Sequence, residues 1–186
     1  MDAICNATLP QAHADSCDHN ASPGEVNMVM WTRNDVGDKL SAVTSVAINA
    51  RLSNTTALPA LGTAAPIRYL YVIGELPAGS TDSTDLPLGQ KYYFASDNTL
   101  NFKCFDMSVE NHALYVECEN LGGIQYQAWF RDEGGKFFGG IDGGKAGVSV
   151  TLTMKLVIPT SKKELKHYAC SMTFNGPVTT MIDSPI

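Results

Sequence analysis

A chain of 186 residues, 44% apolar and 17% charged, has the size and make-up of one ordinary folded domain. At that length about two thirds of the unfolded surface can be buried, so a core needs no disulfide or metal staple. Thirteen Lys and Arg stand against 19 Asp and Glu, a net charge of −6, and the one basic cluster is Lys162, Lys163 and Lys166. Nucleic-acid binding, which needs several cations aimed at phosphates, is therefore not expected.

No apolar run approaches the ~18 residues of a spanning helix, so no membrane segment is expected. The opening "MDAICNATLPQAHADSC" has neither a basic region nor an apolar core, and no secretory signal is expected from it. Cys5, Cys17, Cys104, Cys118 and Cys170 are odd in number, irregularly spaced and without a C-x-x-C pair. That usage suits packed thiols in a reducing compartment, with a Cys5–Cys17 bridge left open for an oxidising one.

In chain order, residues 1–25 are polar and punctuated by Pro10, Pro23 and Gly24, and are expected to form an arm ahead of a single domain over 26–186. "VNMVMW" from Val26 reads as a short buried strand. "VTSVAINARL", Val43 to Leu52, alternates Val and Ile with Thr, Ser and Asn and predicts a second strand. "IRYLYVIG" from Ile67 is apolar on both faces and predicts a central one. The stretch from Glu75 to Gln90, "ELPAGSTDSTDLPLGQ", predicts a long loop, and loops of that length usually bind or contact something.

"KYYFAS" and "TLNFKCFDM" read as strands. "SVENHALYVECENLGG" suits a strand by alternation, but a helix over about 108–121 fits better. Met107, Leu114, Cys118 and Leu121 share a stripe there, with Val109 and Ala113 close by. Ser108 can cap the start, Glu110 favours the first turn, and Gly122 sits at the C-terminal capping position. "IQYQAWF" alternates. "VSVTLTMKLVI", Val148 to Ile158, puts Val148, Val150, Leu152, Met154, Leu156 and Ile158 on one face over roughly 36 Å. "HYACSMTF" turns Tyr168, Cys170, Met172 and Phe174 inward. The pattern predicts a mainly β fold built on an antiparallel sheet with one wet face, with one α-helix.

Between the last strands lies "FRDEGGKFFGGIDGGK", in which Gly139 to Lys145 fits G-x-x-x-x-G-K. A phosphate loop needs a helix after it and a Ser or Thr beside the Lys. Ala146 follows Lys145, and a strong strand pattern follows that. The expected structure is a pair of tight turns, at Asp132–Gly135 and Ile141–Gly144, around a short strand at Phe137–Phe138.

Other candidates have weaker support. Asp132, Glu133 and Asp142 could pair for acid–base work, but acids in glycine-rich turns are ordinary turn formers. Cys5, His13, Cys17 and His19 are the right types for zinc at an unfamiliar spacing. Asn6, Asn20 and Asn54 open glycosylation-type triplets. "SKKE" at Ser161 resembles a capping box. His13, His19, His112 and His167 stand near no nucleophile elbow. Trp31 and Trp129 have the chemistry to stack a sugar or base, yet strand tryptophans are usually core. No catalytic residue, cofactor or metal ligand is assigned.

The run from Lys91 to Phe174 resembles phage tail-tube (major tail) proteins, particularly virion proteins of phages infecting Bacteroidetes. The carrying pieces are "LNFKCFDMSVENHALYVECENLGGIQYQAWFRDEGGKFFGGIDGG", "VSVTLTMKLVIPTSKKELKHYACSMTF" and the final "SPI". "CNATLP…DSC…PGEVNMVMWTRND" is similar in flavour. The resemblance implies a small antiparallel β-sandwich or barrel with one flanking α-helix, and a non-enzymatic virion protein assembled in the host bacterial cytoplasm. Its copies would close into rings, commonly hexameric, that stack into a tube with DNA as non-specific cargo. Other tail or virion proteins are the implied partners, with the arm and the Glu75–Gln90 loop as contacts between rings. The alternative is a monomeric carbohydrate- or surface-binding module using Trp129, Tyr126 and the loops.

Overall fold

The computed structural model describes residues 24–34, 40, 44–54, 56–78, 83–85, 87, 90–93, 97–121, 124–139, 141–142, 145–175 and 181–183. Cys5, His13, Cys17, His19, Asn6, Asn20 and the capping glycine Gly122 lie outside them. In chain order the elements are β1 (Val26–Arg33), α1 (Ser45–Asn49), β2 (Arg68–Glu75), β3 (Ser83–Asp85), β4 (Lys91–Tyr93), β5 (Asp97–Cys104) and α2 (Val109–Leu121). Then come β6 (Ile124–Asp132), β7 (Lys136–Phe138), β8 (Ile141–Asp142), β9 (Lys145–Ala146), β10 (Val148–Val157), β11 (His167–Asn175) and β12 (Met181–Asp183).

The main sheet runs β1-β2-β5-β11-β10-β6, and β6 pairs back onto β1. Six antiparallel strands thus close on themselves, which makes the architecture a barrel and leaves most backbone groups paired. The strongest alternation becomes the longest ladder. β11 is in register with β5 from Asn175↔Asp97 to Tyr168↔Cys104, and with β10 from Thr173↔Thr151 to His167↔Val157. Tyr168, Cys170, Met172 and Phe174 point into the barrel with Val150, Leu152 and Met154, as their spacing predicts. Val148 and Leu156 pack half-buried against them, whereas Ile158 lies beyond the strand end and is 63% exposed.

β1 is buried on both faces. A register shift at Val26/Met28 changes the strand's parity, as a bulge does, so Val26, Val29 and Trp31 face the barrel interior. Met28 and Met30 face outward into a second cluster with Leu40, Ile48, Ile67, Trp129 and Phe137. That cluster overturns the strand expected over Val43–Leu52. Its described core, Ser45–Asn49, is helical, and Leu52 makes a single bridge to Ile67. Thr44, in extended conformation, accepts the Ala47 N–H on its hydroxyl at 3.2 Å and starts the turn. The helix turns Ala47 and Ile48 onto the outer cluster, where Leu52 joins them from beyond its end, and leaves Val46 80% exposed. The alternation of residue types was real, but it was not the burial pattern.

The glycine-rich stretch resolves as an excursion from the wall. β7 pairs β6 at Phe138↔Phe130, and β10 takes up the same edge of β6 from Val148↔Ala128. Between them the chain leaves as the β8–β9 hairpin, Ile141↔Ala146 and Asp142↔Lys145, whose connecting residues 143–144 lie outside the described ones. A strand, not a helix, follows Lys145, so the turn reading holds over the phosphate-loop one. The first turn is also as expected: Asp132, 5% exposed, accepts the Lys136 N–H on Oδ1 at 2.7 Å.

Both hinges of the excursion have positive φ, Gly139 at 128° and Gly147 at 103°. A Cβ at Gly139 would lie 2.6 Å from Trp129 Cδ1, and one at Gly147 would lie 3.0 Å from Trp129 Cζ2. The indole fills the gap between them and has no exposure at all.

The predicted helix is α2. Ser108 caps it, taking the Asn111 N–H on Oγ at 3.4 Å while its carbonyl takes the His112 N–H. Cys118 is buried and Leu114 half-buried against the barrel interior. Met107 and Val109 are exposed, at 41% and 82%, so the expected stripe is narrower than its spacing suggested. Within the Glu75–Gln90 stretch, β3 pairs β4 as a small separate ladder, Ser83↔Tyr93 to Asp85↔Lys91. No helix among the described residues is long and apolar enough to cross a membrane.

Candidate functional site

A ladder that must close a barrel has one weak seam here. β2 meets β5 only at Ile73↔Lys103, Gly74↔Phe102 and Glu75↔Asn101, although β2 continues along β1 down to Arg68. From Leu70 back to Arg68 no strand among the described residues lies beside the outer edge of β2. The gap opens as a cleft of about 760 Å³ between this half of β2 and the segment 106–117 at the start of α2.

One wall is built by arginines acting as struts. Arg33 donates from Nη1 to Pro59 O at 3.0 Å and from Nη2 to Ala60 O and Thr63 O at 3.2 and 3.1 Å. Arg51 reaches Ala65 O at 2.8 Å, and Arg68 donates to Ser53 O and Thr56 O, both at 2.6 Å. The planar fork of guanidinium suits this spanning of successive carbonyls. Burial pushes the Arg68 guanidinium down from its ordinary value. These struts hold residues 53–54 and 56–66 against the barrel, and Asn54 then stands in for a neighbouring strand. Its side-chain oxygen accepts Tyr69 N–H at 3.0 Å and its amide donates to Tyr69 O at 3.1 Å. By the alternation of a strand, the Tyr71 amide and carbonyl point the same way, toward the cleft.

The opposite wall is a face of α2. Glu110, Ala113, Leu114 and Glu117 line the cleft at the spacing that places residues on one side of a helix. The helix carries Glu110, Glu117 and Glu119 and no Lys or Arg. Asp106 adds a carboxylate at the mouth, where it accepts the Ser108 N–H at 3.0 Å. The floor is aromatic. Trp31 and Tyr126 meet edge-on with ring centroids 6.5 Å apart, and burial, with Glu117 nearby, pushes the Tyr126 hydroxyl well above the ordinary phenol range. Tyr71, 67% exposed, forms the rim, and Ile73 continues the outer face at 55%. Phe105, 39% exposed, follows just past the end of β5. β2 lies between β1 and β5, the central place expected of it, although its apolar outer face is exposed at Tyr71 and Ile73.

Acids along one wall and aromatic faces below fit a long cationic side chain or a partly apolar amine. Nucleophilic chemistry finds little support in the groups described. Cys104, Cys118 and Cys170 are buried and unbridged, and burial raises all three thiols, Cys118 to about 11. His112 Nδ1 lies 3.3 Å from the Tyr168 hydroxyl, and His167 Nδ1 lies 3.1 Å from Leu165 O. Among the described residues no group of three or more His, Cys, Asp and Glu could hold a metal ion.

The structure scatters the sequence candidates. Asp132 serves its turn, and the exposed Glu133 donates its N–H to Glu25 O at 2.8 Å. Trp129 is fully buried and cannot stack a ligand, which corrects its place in the sugar-binding alternative. Trp31 and Tyr126 do reach the cleft. Ser161 makes a bonded turn, accepting Lys163 N–H on Oγ at 3.2 Å, rather than the start of a helix. Arg33, Arg51, Arg68, Asn54 and the Glu110/Glu117 wall were missed. The only advance signal was the i, i+7 spacing of those two acids on an otherwise uncharged helix face.

No protein-family model matches the chain, and no curated protein or solved structure matches it.

Proposed function

We propose that this protein is a non-enzymatic virion structural subunit whose copies associate into rings that stack as a phage tail tube. The observation that carries the self-association is the outer surface beside the cleft. Tyr71, Ile73 and Phe105 lie exposed on adjacent chain segments, with Leu58 at 57% and Leu61 at 80% on the strut-held loop. Clustered exposed apolar side chains mark association surfaces. A closed barrel suits the role, because its wall is settled without a partner and its loops and rim are left for contacts. The phage assignment, the hexameric ring and virion location rest on the sequence resemblance. The net charge of −6 would keep DNA from sticking wherever it faces a lumen.

Size-exclusion chromatography with negative-stain microscopy tests the reading: rings or stacked tubes are expected, and a strict monomer at high concentration would count against it. A monomeric binding module is the second reading, favoured by the aromatic floor of the cleft. Retention of a glycan by a monomer, abolished by Tyr71→Ala, would select it.

A further inference from the structure

We infer that the cleft receives the basic loop Ser161–Lys166 of a second copy of this chain. The inference rests on the self-association proposed above and assigns its contact. All six residues of that loop are exposed. It carries Lys162, Lys163 and Lys166 against a single acid, Glu164, and is the chain's one basic cluster. Exposed Ile158, at 63%, and Leu165, at 71%, flank the lysines with apolar surface.

The cleft offers the complement. Glu110 and Glu117 stand on a helix face without cations, above Trp31 and Tyr126 and beside exposed Tyr71 and Leu58. The other charges of the cleft are Asp106, beside the start of α2, and Arg33 and Arg68 on the far wall with N–H groups turned to loop carbonyls. A lysine entering along α2 therefore meets carboxylates at its ammonium and aromatic carbon along its stem.

The position of the two surfaces makes the partner a second molecule. The loop joins β10 to β11, while the cleft opens at the β2–β5 seam, walled by β1, β2 and the start of α2 with the first residues of β6 in its floor. In the strand order around the barrel these lie on different flanks. Both occupy the end where β1, β5 and β10 finish and β2, β6 and β11 begin, as the registers place Arg33 by Tyr126 and Cys104 by Tyr168. One surface on each flank of the same end gives a head-to-tail contact, the kind that generates a ring where its rotation closes.

The test is sedimentation velocity on the full chain up to ~1 mM, at low and high salt. Lys162→Glu with Lys163→Glu and Lys166→Glu should weaken association about tenfold or more, as should Glu110→Lys with Glu117→Lys. Combining the two sets should restore it to within about threefold of the parent, the signature of a direct pairing. Association of the parent should fall with salt. All changes are at surface side chains, and unchanged circular dichroism and melting would certify the fold. A parent that assembles while both charge reversals assemble equally well overturns the docking and leaves self-association standing. A parent that stays monomeric throughout overturns both. If reversals leave assembly unchanged and an added lysine peptide shifts the tryptophan emission, the cleft belongs to a foreign cationic segment and the self-docking is wrong.

Discussion

The wall of this barrel is interrupted twice, and the two interruptions have opposite fates. Between β7 and β10 the chain leaves the edge of β6 for a whole hairpin, yet the gap is filled by Trp129 clamped between Gly139 and Gly147. Between β2 and β5 no residues are inserted at the opening, yet the gap stays open, floored by Trp31 and Tyr126. A break in a ladder therefore does not by itself make a site. What matters is whether an outward-facing side chain of the neighbouring strand is large enough, and the backbone around it bare enough, to close the hole. Sealing has a residual cost here: among the described residues Trp129 Nε1 and Gln127 Oε1 find no hydrogen-bond partner, and a buried polar group so left typically loses about 1–3 kcal/mol of solvation.

The largest effect should come from breaking the seal. Trp129→Ala is expected to cost about 3–5 kcal/mol in urea or thermal unfolding. Gly139→Ala should approach it, at about 3 kcal/mol, because its methyl would enter the indole at 2.6 Å on a backbone with φ of 128°. Gly24→Ala, whose methyl meets nothing within 4 Å, is the near-neutral control. A loss under about 1 kcal/mol for Trp129→Ala would mean that the indole is not closing the wall.

The open gap should respond more mildly. Gly74 is where β2 comes hardest against β5: a Cβ there would lie 2.7 Å from Phe102 Cβ and 2.9 Å from Asn101 O. Gly74→Ala should cost about 1–3 kcal/mol and widen the cleft from its closed end. Amide exchange should then quicken at those amides of 101–103 that face β2, while the β5 amides that face β11 stay protected. Equal quickening along the whole of β5 would show that the seam does not open locally.

Much of the closed flank was legible because it is wet on one side. β10 and β11 alternate in burial as they alternate in type, and Thr153 and Ser171 meet across the outer face at 2.7 Å. The glycine stretch was legible for a different reason: the residues after Lys145 forbid a helix, so turns were the only consistent structure. The second cluster was not legible. Whether Val43–Leu52 forms strand or helix depends on Met28, Met30 and Trp129 offering an outward apolar face, a fact about strands far away in sequence. The cleft was hidden for the same reason. Its struts bond backbone carbonyls, which every residue has, so Arg33, Arg51 and Arg68 left no pattern in residue type.

A smaller prediction concerns the edge of the opening. Asn54→Ala removes both bonds that stand in for a neighbouring strand at Tyr69. It should cost about 1–2 kcal/mol, with faster exchange at the Tyr69 amide and no change at Leu70, which faces β1. Asn54→Asp keeps the acceptor for Tyr69 N–H and should lose less, so a variant series in that order separates capping from simple packing.

The mildest effect at neutral pH, and the one that distinguishes interior from cleft by titration, is alkaline. Burial holds the Cys118 thiol up at about 11 from an ordinary 9.0, and pushes Cys104, Cys170, Tyr126 and Tyr168 upward as well. Each is an acid whose proton is held more tightly folded than unfolded. The unfolded chain therefore ionises first as pH rises, and stability present below pH 9 drains away through the window from 9 to about 11 for Cys118. The melting temperature should be flat near neutrality and fall across that window. Cys118→Ala should flatten the Cys118 part of the fall, whereas Glu117→Gln, at the cleft wall, should leave most of it. At pH 8 the three thiols should react with a disulfide reagent only as fast as the barrel opens, so a rapid burst from any of them would place it outside the closed wall.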